Sequence, residues 1–164
     1  MNDSAGAGDA QLFESAYPTL RRFAAAVRPW GVDADDLVQE ALARTLAVRS
    51  LDSLDDPVAY LRTVIVRVAS NWARSHRRSR GRAERFGPPA SEVADRYPSD
   101  LADLMRVSSR ARAVLFLVHV EDQPYRQAAS IVGCTEDAAR AVASRAIRQL
   151  RRELQAELEL GDPR

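Results

Sequence analysis

The chain has 164 residues, 46% of them apolar and 29% charged, with a net charge of +1 and a single cysteine. That length suits one domain or two small ones. Cys134 alone cannot form an internal disulfide, and the longest strong apolar run, Ala113 to Val118, is too short to cross a bilayer.

The near-neutral total hides a segregation of charge. Residues 1–60 carry ten acids and five arginines, residues 61–85 eight arginines and one glutamate, and residues 138–153 five arginines and one glutamate. Two basic blocks inside an otherwise acidic chain predict two separate contacts with a polyanion. Lysine is absent, so each of these cations carries a planar fork able to grip phosphate or guanine through two hydrogen bonds. Ala, Arg, Leu and Glu dominate and no Val/Ile/Tyr alternation is sustained, which predicts an all-α fold. The polar, acidic N-terminus is unlike a secretion signal, so a cytoplasmic protein without membrane insertion is expected.

In chain order, residues 1–9 read as disordered. A first helix is expected from Ala10 to Arg28, with Leu12, Phe13, Ala16, Leu20, Phe23, Ala24 and Val27 inward, Pro18 kinking or splitting it, and Pro29 and Gly31 ending it. Asp33 opens a second, from Ala34 to Val48. Its apolar stripe is Leu37, Val38, Ala41, Leu42 and Leu46, while Asp36, Gln39, Glu40 and Ala43 fall on a polar face suited to water or a basic partner. After a short acidic loop, Leu51 to Asp56, Asp56 caps a third helix with Pro57 at its first position. Val58, Leu61, Val64, Ile65, Val68 and Trp72 line one side of it to about Arg78, and Arg67, Asn71, Arg74 and Arg78 share another face.

Residues 79–99, with Gly81, Gly87, Pro88, Pro89 and Pro98, read as a flexible linker. A short helix near Asp100 to Val107 begins a second unit. Ser108 or Ser109 caps the next helix, and His119 near its end is expected to pack. Pro124 starts a short helix that Gly133 ends in a left-handed cap. Thr135 caps the last helix, which runs to about Glu159.

Arginines bind backbone phosphates and aromatic faces stack on unpaired bases, so Arg62, Arg67, Asn71, Arg74, Arg77 and Arg78 with Tyr60 form a candidate nucleic-acid surface. Trp72 continues the apolar stripe and is assigned to the core; His76 is placed on the arginine-rich face. Ala129, Gly133 and Ala139 keep helix-turn-helix spacing: a small residue for close approach, then a glycine for the turn. The last helix then enters a major groove with its first turns, where Thr135, Arg140, Ser144, Arg145 and Arg148 are its polar candidates. No metal-ligand cluster, glycine-rich phosphate loop or nucleophile–base pair is visible in the sequence, so no cofactor, no metal and no enzymatic activity are expected.

Taken together, the segments resemble the extracytoplasmic-function group of sigma factors, initiation subunits of bacterial RNA polymerase. Asp33-Ala-Asp-Asp-Leu-Val-Gln-Glu-Ala-Leu looks like the family's polymerase-binding helix. Ala59-Tyr60-Leu61-Arg62 through Asn71-Trp72-Ala73-Arg74 is similar to the region that melts and reads the minus-ten element. Arg110-Ala-Arg-Ala-Val-Leu through Tyr125-Arg-Gln-Ala-Ala-Ser-Ile-Val-Gly resembles the domain that reads minus-thirty-five DNA and touches the β flap.

The resemblance implies a region 2-like domain over residues 10–79, a linker over 80–99 and a region 4-like helix-turn-helix domain over 100–159. It implies that Asp35, Asp36, Gln39 and Glu40 face the β′ clamp helices, that the loop Leu51 to Asp56 captures a flipped base, and that an anti-sigma factor, a separate chain, regulates the protein. The chain departs from the family pattern at Ser108-Ser109 (commonly Pro-Pro), at Arg67 and Asn71, and at Ala139-Arg140-Ala141-Val142, where two polar DNA-facing groups are replaced. Two other readings accommodate the same residues. One is a stand-alone helix-turn-helix regulator, dimerising through Leu150, Leu154 and Leu158. The other is a sigma-like protein that binds polymerase or an anti-sigma partner without normal minus-thirty-five recognition.

Overall fold

The structure is a computed structural model that describes residues 3–83 and 104–160. Among the described residues there are six α-helices: α1 (Asp3–Val27), α2 (Ala34–Leu46), α3 (Pro57–Ala83), α4 (Ser109–His119), α5 (Tyr125–Val132) and α6 (Glu136–Leu160). A 3-10 turn, Leu51–Ser53, lies between α2 and α3. No strand occurs among the described residues, in line with the all-α expectation.

The local signals act as elementary chemistry requires. Asp33 caps α2 by accepting from the Asp35 backbone N–H at 2.7 Å. Asp56 Oδ1 accepts from the Ala59 N–H at 2.9 Å. Ser108 rather than Ser109 caps α4, accepting from Ala111 at 3.2 Å, and Thr135 Oγ1 accepts from Ala138 at 3.2 Å. Each satisfies an N–H that the first helical turn leaves without a partner. Gly133 takes φ 70° and ψ 55°, the left-handed cap that turns α5 into α6.

Several expectations are corrected. The segment expected to be disordered is already helical from Asp3. Asp9 explains part of this, because its Oδ1 accepts from the backbone N–H groups of Leu51 at 2.7 Å and Asp52 at 3.2 Å. Pro18 lies inside α1 without dividing it. Leu12 and Leu46, assigned to buried stripes, are exposed, and α2 stops at Leu46 rather than Val48. His119 ends α4 but is exposed instead of packed. Helix α3 runs on to Ala83, through residues 80–83 assigned to the linker; the rest of that linker, and the expected helix start at Asp100, fall outside the described residues.

The two units pack together. Helices α1 and α3 meet α4, and α3 also meets α5, so that Leu20, Phe23, Leu61 and Ile65 belong to the same buried cluster as Val114, Leu117 and Ile131. Phe23 and Phe116 meet edge-to-face across the boundary, ring centroids 5.9 Å apart, a favoured aromatic geometry.

Two buried arginines cross the same boundary. Arg112 of α4 is 4% exposed. Its guanidinium donates to the carbonyls that end α1: Ala26 at 2.8 Å, Val27 at 3.0 Å and Arg28 at 2.6 Å. It also reaches Val107 O at 2.6 Å. A cation at the negative end of a helix, taking carbonyls that have no intrahelical donor, satisfies both partners. Arg62 of α3 is 6% exposed and pairs with Glu121, just beyond α4, at 2.7 Å, its guanidinium lying 5.4 Å from the Phe23 ring centroid.

Candidate polymerase and nucleic-acid interfaces

Three polar faces emerge from this frame. The first is on α2, where burial of Leu37, Val38 and Ala41 turns the polar face outward: Asp36, Gln39 and Ala43 are exposed. Glu40 is half-buried and accepts from Arg44 Nε at 2.7 Å, one turn on. Asp35 is held differently. Its Oδ1 accepts from the Tyr17 hydroxyl at 2.5 Å and from Arg21 Nε at 2.8 Å, both on α1. The Tyr17 hydrogen bond, followed by that of Arg21, holds the Asp35 carboxyl below its ordinary range and raises the Tyr17 phenol. Asp35 therefore clamps α1 to α2, and Asp36 and Gln39, exposed, with Glu40, half-buried, remain the polar groups of that face.

The second face lies along α3. Arg67, Asn71, Arg74 and Arg78 are exposed, as their spacing predicts, and Arg74 donates to Asn71 Oδ1. Arg67, Ser70, Asn71 and Arg74 line a groove of about 390 Å³ whose other wall is Arg110 and Val132 of the second unit. Tyr60 is half-buried, with the Arg49 guanidinium 5.3 Å from its ring centroid. Trp72 is half-buried against the core. The side chains of His76 and Arg77 are outside the described residues. Arg62, grouped with this face from the sequence, is not on it: it points into the boundary between the units, where Glu121 neutralises it. The loop after α2 is tighter than a bare loop, with Leu51 fully buried at its 3-10 turn.

The third face is on α6. Thr135, Arg140, Ser144, Arg145 and Arg148 are all exposed. Arg140 pairs with Glu136 at 2.6 Å and lies 4.6 Å from the Tyr125 ring centroid. Arg145, Arg148, Arg151 and Arg152 line a hollow of about 610 Å³ with Gln149. Arg151 and Arg152 were missed as candidates, as was Arg110 on the α3 groove. The first two were within reach, because 145, 148 and 152 follow helical spacing inside the basic block.

No group of three His, Cys, Asp or Glu side chains among the described residues could hold a metal ion. No described helix is long and apolar enough to cross a membrane.

Known proteins resemble this chain over most of its length. Residues 12–79 match the family Sigma-70 region 2, the stretch that contains the α2 and α3 faces. The RNA polymerase sigma-E factor of Streptomyces coelicolor is 31% identical over 144 residues, covering 84% of this chain and 80% of that protein. The chain belongs to the extracytoplasmic-function sigma factors. The sigma-E factor of Streptomyces antibioticus is 28% identical over 151 residues, 88% of this chain and 83% of the relative. Among solved structures, the sigma factor RpoE of Bartonella quintana, crystallised with the anti-sigma factor NepR, has the same fold. Its TM-score is 0.66 at 24% identity, over 89% of this chain and 96% of that one. Sigma factors are regulatory subunits of RNA polymerase that direct transcription initiation, and this chain is one of them.

Proposed function

We propose that the outward acidic face of α2, the polar face of α3 and the first turns of α6 divide the work of a sigma factor. Asp36, Gln39 and Glu40 dock on the β′ clamp helices of core polymerase. Arg67, Asn71, Arg74, Arg77 and Arg78, with Tyr60, hold the minus-ten strand, Arg110 adding a third guanidinium to the groove of Arg67 and Arg74. Thr135, Arg140, Ser144, Arg145 and Arg148 approach the minus-thirty-five duplex, and the second unit touches the β flap. The protein works in the cytoplasm on polymerase and promoter DNA. It supplies binding free energy for melting and no catalytic chemistry of its own. Regulation comes from an anti-sigma factor.

The observation that carries this division is the sign of each face: acidic on α2, basic on α3 and α6, each built on a helix whose opposite side is core. Phosphate contacts position such a protein, and the fork of arginine suits them. Purified chain added to core polymerase should direct transcription from specific starts on genomic fragments. Asp36→Arg with Glu40→Arg should abolish it while leaving the thermal melt of the free chain unchanged. Unaltered transcription by that double variant overturns the docking assignment.

A further inference from the structure

The middle of the outward face of α6 carries a methyl group where a hydrogen-bonding side chain would be expected. The packed side of this helix is fixed by Ala139, Ala143 and Ala146, at most 4% exposed. At about 100° per residue, the position directly opposite is Ala141, which is exposed. Asp137, Arg145 and Arg148 lie within about 40° of it and are exposed as well.

The arginine next to Ala141 does not fill that centre. Arg140 stands about 100° to one side, where it pairs with Glu136 at 2.6 Å and lies 4.6 Å from the Tyr125 ring centroid of α5. That puts it at the edge of the face, where a groove-bound helix meets backbone phosphate. On the other flank Val142 is half-buried.

A recognition helix meets base edges with its first turns, and on this face those turns offer Asp137 and Ala141. The complement of a methyl group in the major groove is the C5-methyl of thymine. The complement of a carboxylate is the N4 amino group of cytosine. The helix dipole favours an acid in the first turn, but Glu136 is there too and is neutralised by Arg140. The Asp137 carboxylate has no hydrogen bond or ion pair to another described side chain, and against phosphate it would only repel.

We infer that Asp137 and Ala141 are the base-reading centre of α6: Asp137 accepts from a cytosine amino group and Ala141 packs on a thymine methyl, while the arginines around them grip phosphates. The two side chains stand one turn apart, about 6 Å along the helix, so the two bases are one or two steps of about 3.4 Å apart. This deepens the minus-thirty-five reading proposed above and rests on it. Discrimination then comes from an amino group and a methyl group rather than from guanine O6 and N7.

The test selects bound duplexes from a pool randomised over the minus-thirty-five segment. It uses the full chain with core polymerase, and the chain alone should that complex not form. The wild type should enrich a cytosine and a thymine at fixed spacing. Replacing that thymine by uracil removes only the methyl group and should weaken binding about fourfold, the worth of one buried methyl. Asp137→Asn should move the preference at its base from cytosine to adenine, and Ala141→Arg should move the other from thymine to guanine. Both variants should keep the helical circular dichroism of the wild type, and the uracil duplex tests the wild type itself if either does not. A merely structural role for these residues would change affinity without moving a base preference. Equal binding of the thymine and uracil duplexes, or folded variants that still select the wild-type sequence, overturns the inference. A wild type that transcribes from specific starts yet enriches nothing in this segment overturns it too and leaves the sigma-factor reading intact. A chain that neither joins polymerase nor directs transcription overturns that reading instead, and selection by the chain alone still decides the two bases.

Discussion

Tyr17 on α1 and Asp35 on α2 share a 2.5 Å hydrogen bond that Arg21 reinforces from the same side at 2.8 Å. An acidic residue of the first turn of α2 is thereby committed to internal geometry: it ties α2 to α1 beside Asp36, Gln39 and Glu40.

This pair gives the fold a pH signature. The Asp35 carboxyl is lowered from its ordinary value of 3.8, chiefly by Tyr17, so its contribution to stability is present above 3.8 and is lost as pH falls through the lowered folded value. The Tyr17 phenol is raised from 10.0, chiefly by Asp35, so its contribution is present below 10.0 and is lost as pH rises through the raised folded value. Urea unfolding of wild type and Asp35→Asn should therefore differ most at neutral pH and converge at both extremes. A constant difference across the range would contradict this assignment.

Arg112→Leu should cost about 3 kcal/mol, because several buried carbonyls lose their donor at ~1–3 kcal/mol each and some recover water. For a chain of this size that is a fall in Tm of roughly 10 °C. Arg112→Lys should recover only part of it, since one ammonium cannot span carbonyls that a planar fork reaches. Calorimetry of the three proteins checks the order.

Asp9→Ala removes the only side-chain acceptor found for the N–H groups of Leu51 and Asp52 among the described residues. Hydrogen exchange should show both amides losing protection while the interior of α3 keeps its own. The global cost should be about 1 kcal/mol, that of a lost helix cap. Unchanged exchange at Leu51 would show that burial alone protects the turn.

Arg74→Ala and Arg78→Ala should each weaken promoter binding by the polymerase complex and reduce the slope of log affinity against log salt by roughly 0.7 to 0.9, one phosphate contact apiece. Filter binding over a salt series measures it. Weakened binding with an unchanged slope would mean that these side chains do not neutralise phosphate.

What was legible in the sequence was what local chemistry decides. The caps at Asp33, Asp56 and Thr135, the turn at Gly133 and the stripe of Leu37, Val38 and Ala41 each depend on neighbours within four residues. Arg62 was read as a surface cation because its partner is distant: Glu121 lies 59 residues from it. Arg112 drew no role from the sequence, its carbonyl partners at the end of α1 lying 84 to 86 residues away. One signal was available for Arg62. It sits four residues after Val58 and three before Ile65, on the apolar stripe itself, where a solvated cation does not belong. The early start of α1 was hidden for a related reason. Gly6 and Gly8 argue against a helix, and Asp9 finds its partners 42 and 43 residues downstream.

The carbonyls that end α1 wait for a donor that is made late. During synthesis the first unit, through Ala83, emerges about thirty residues ahead of Arg112, an interval of a few seconds at roughly 5–20 residues per second. For that interval Phe23 and the end of α1 face solvent, and Arg62 has no carboxylate opposite it. A nascent chain thus presents to its surroundings an apolar and cationic surface that the finished protein withdraws, which makes the order of translation, and not only the final fold, a determinant of what this chain meets first.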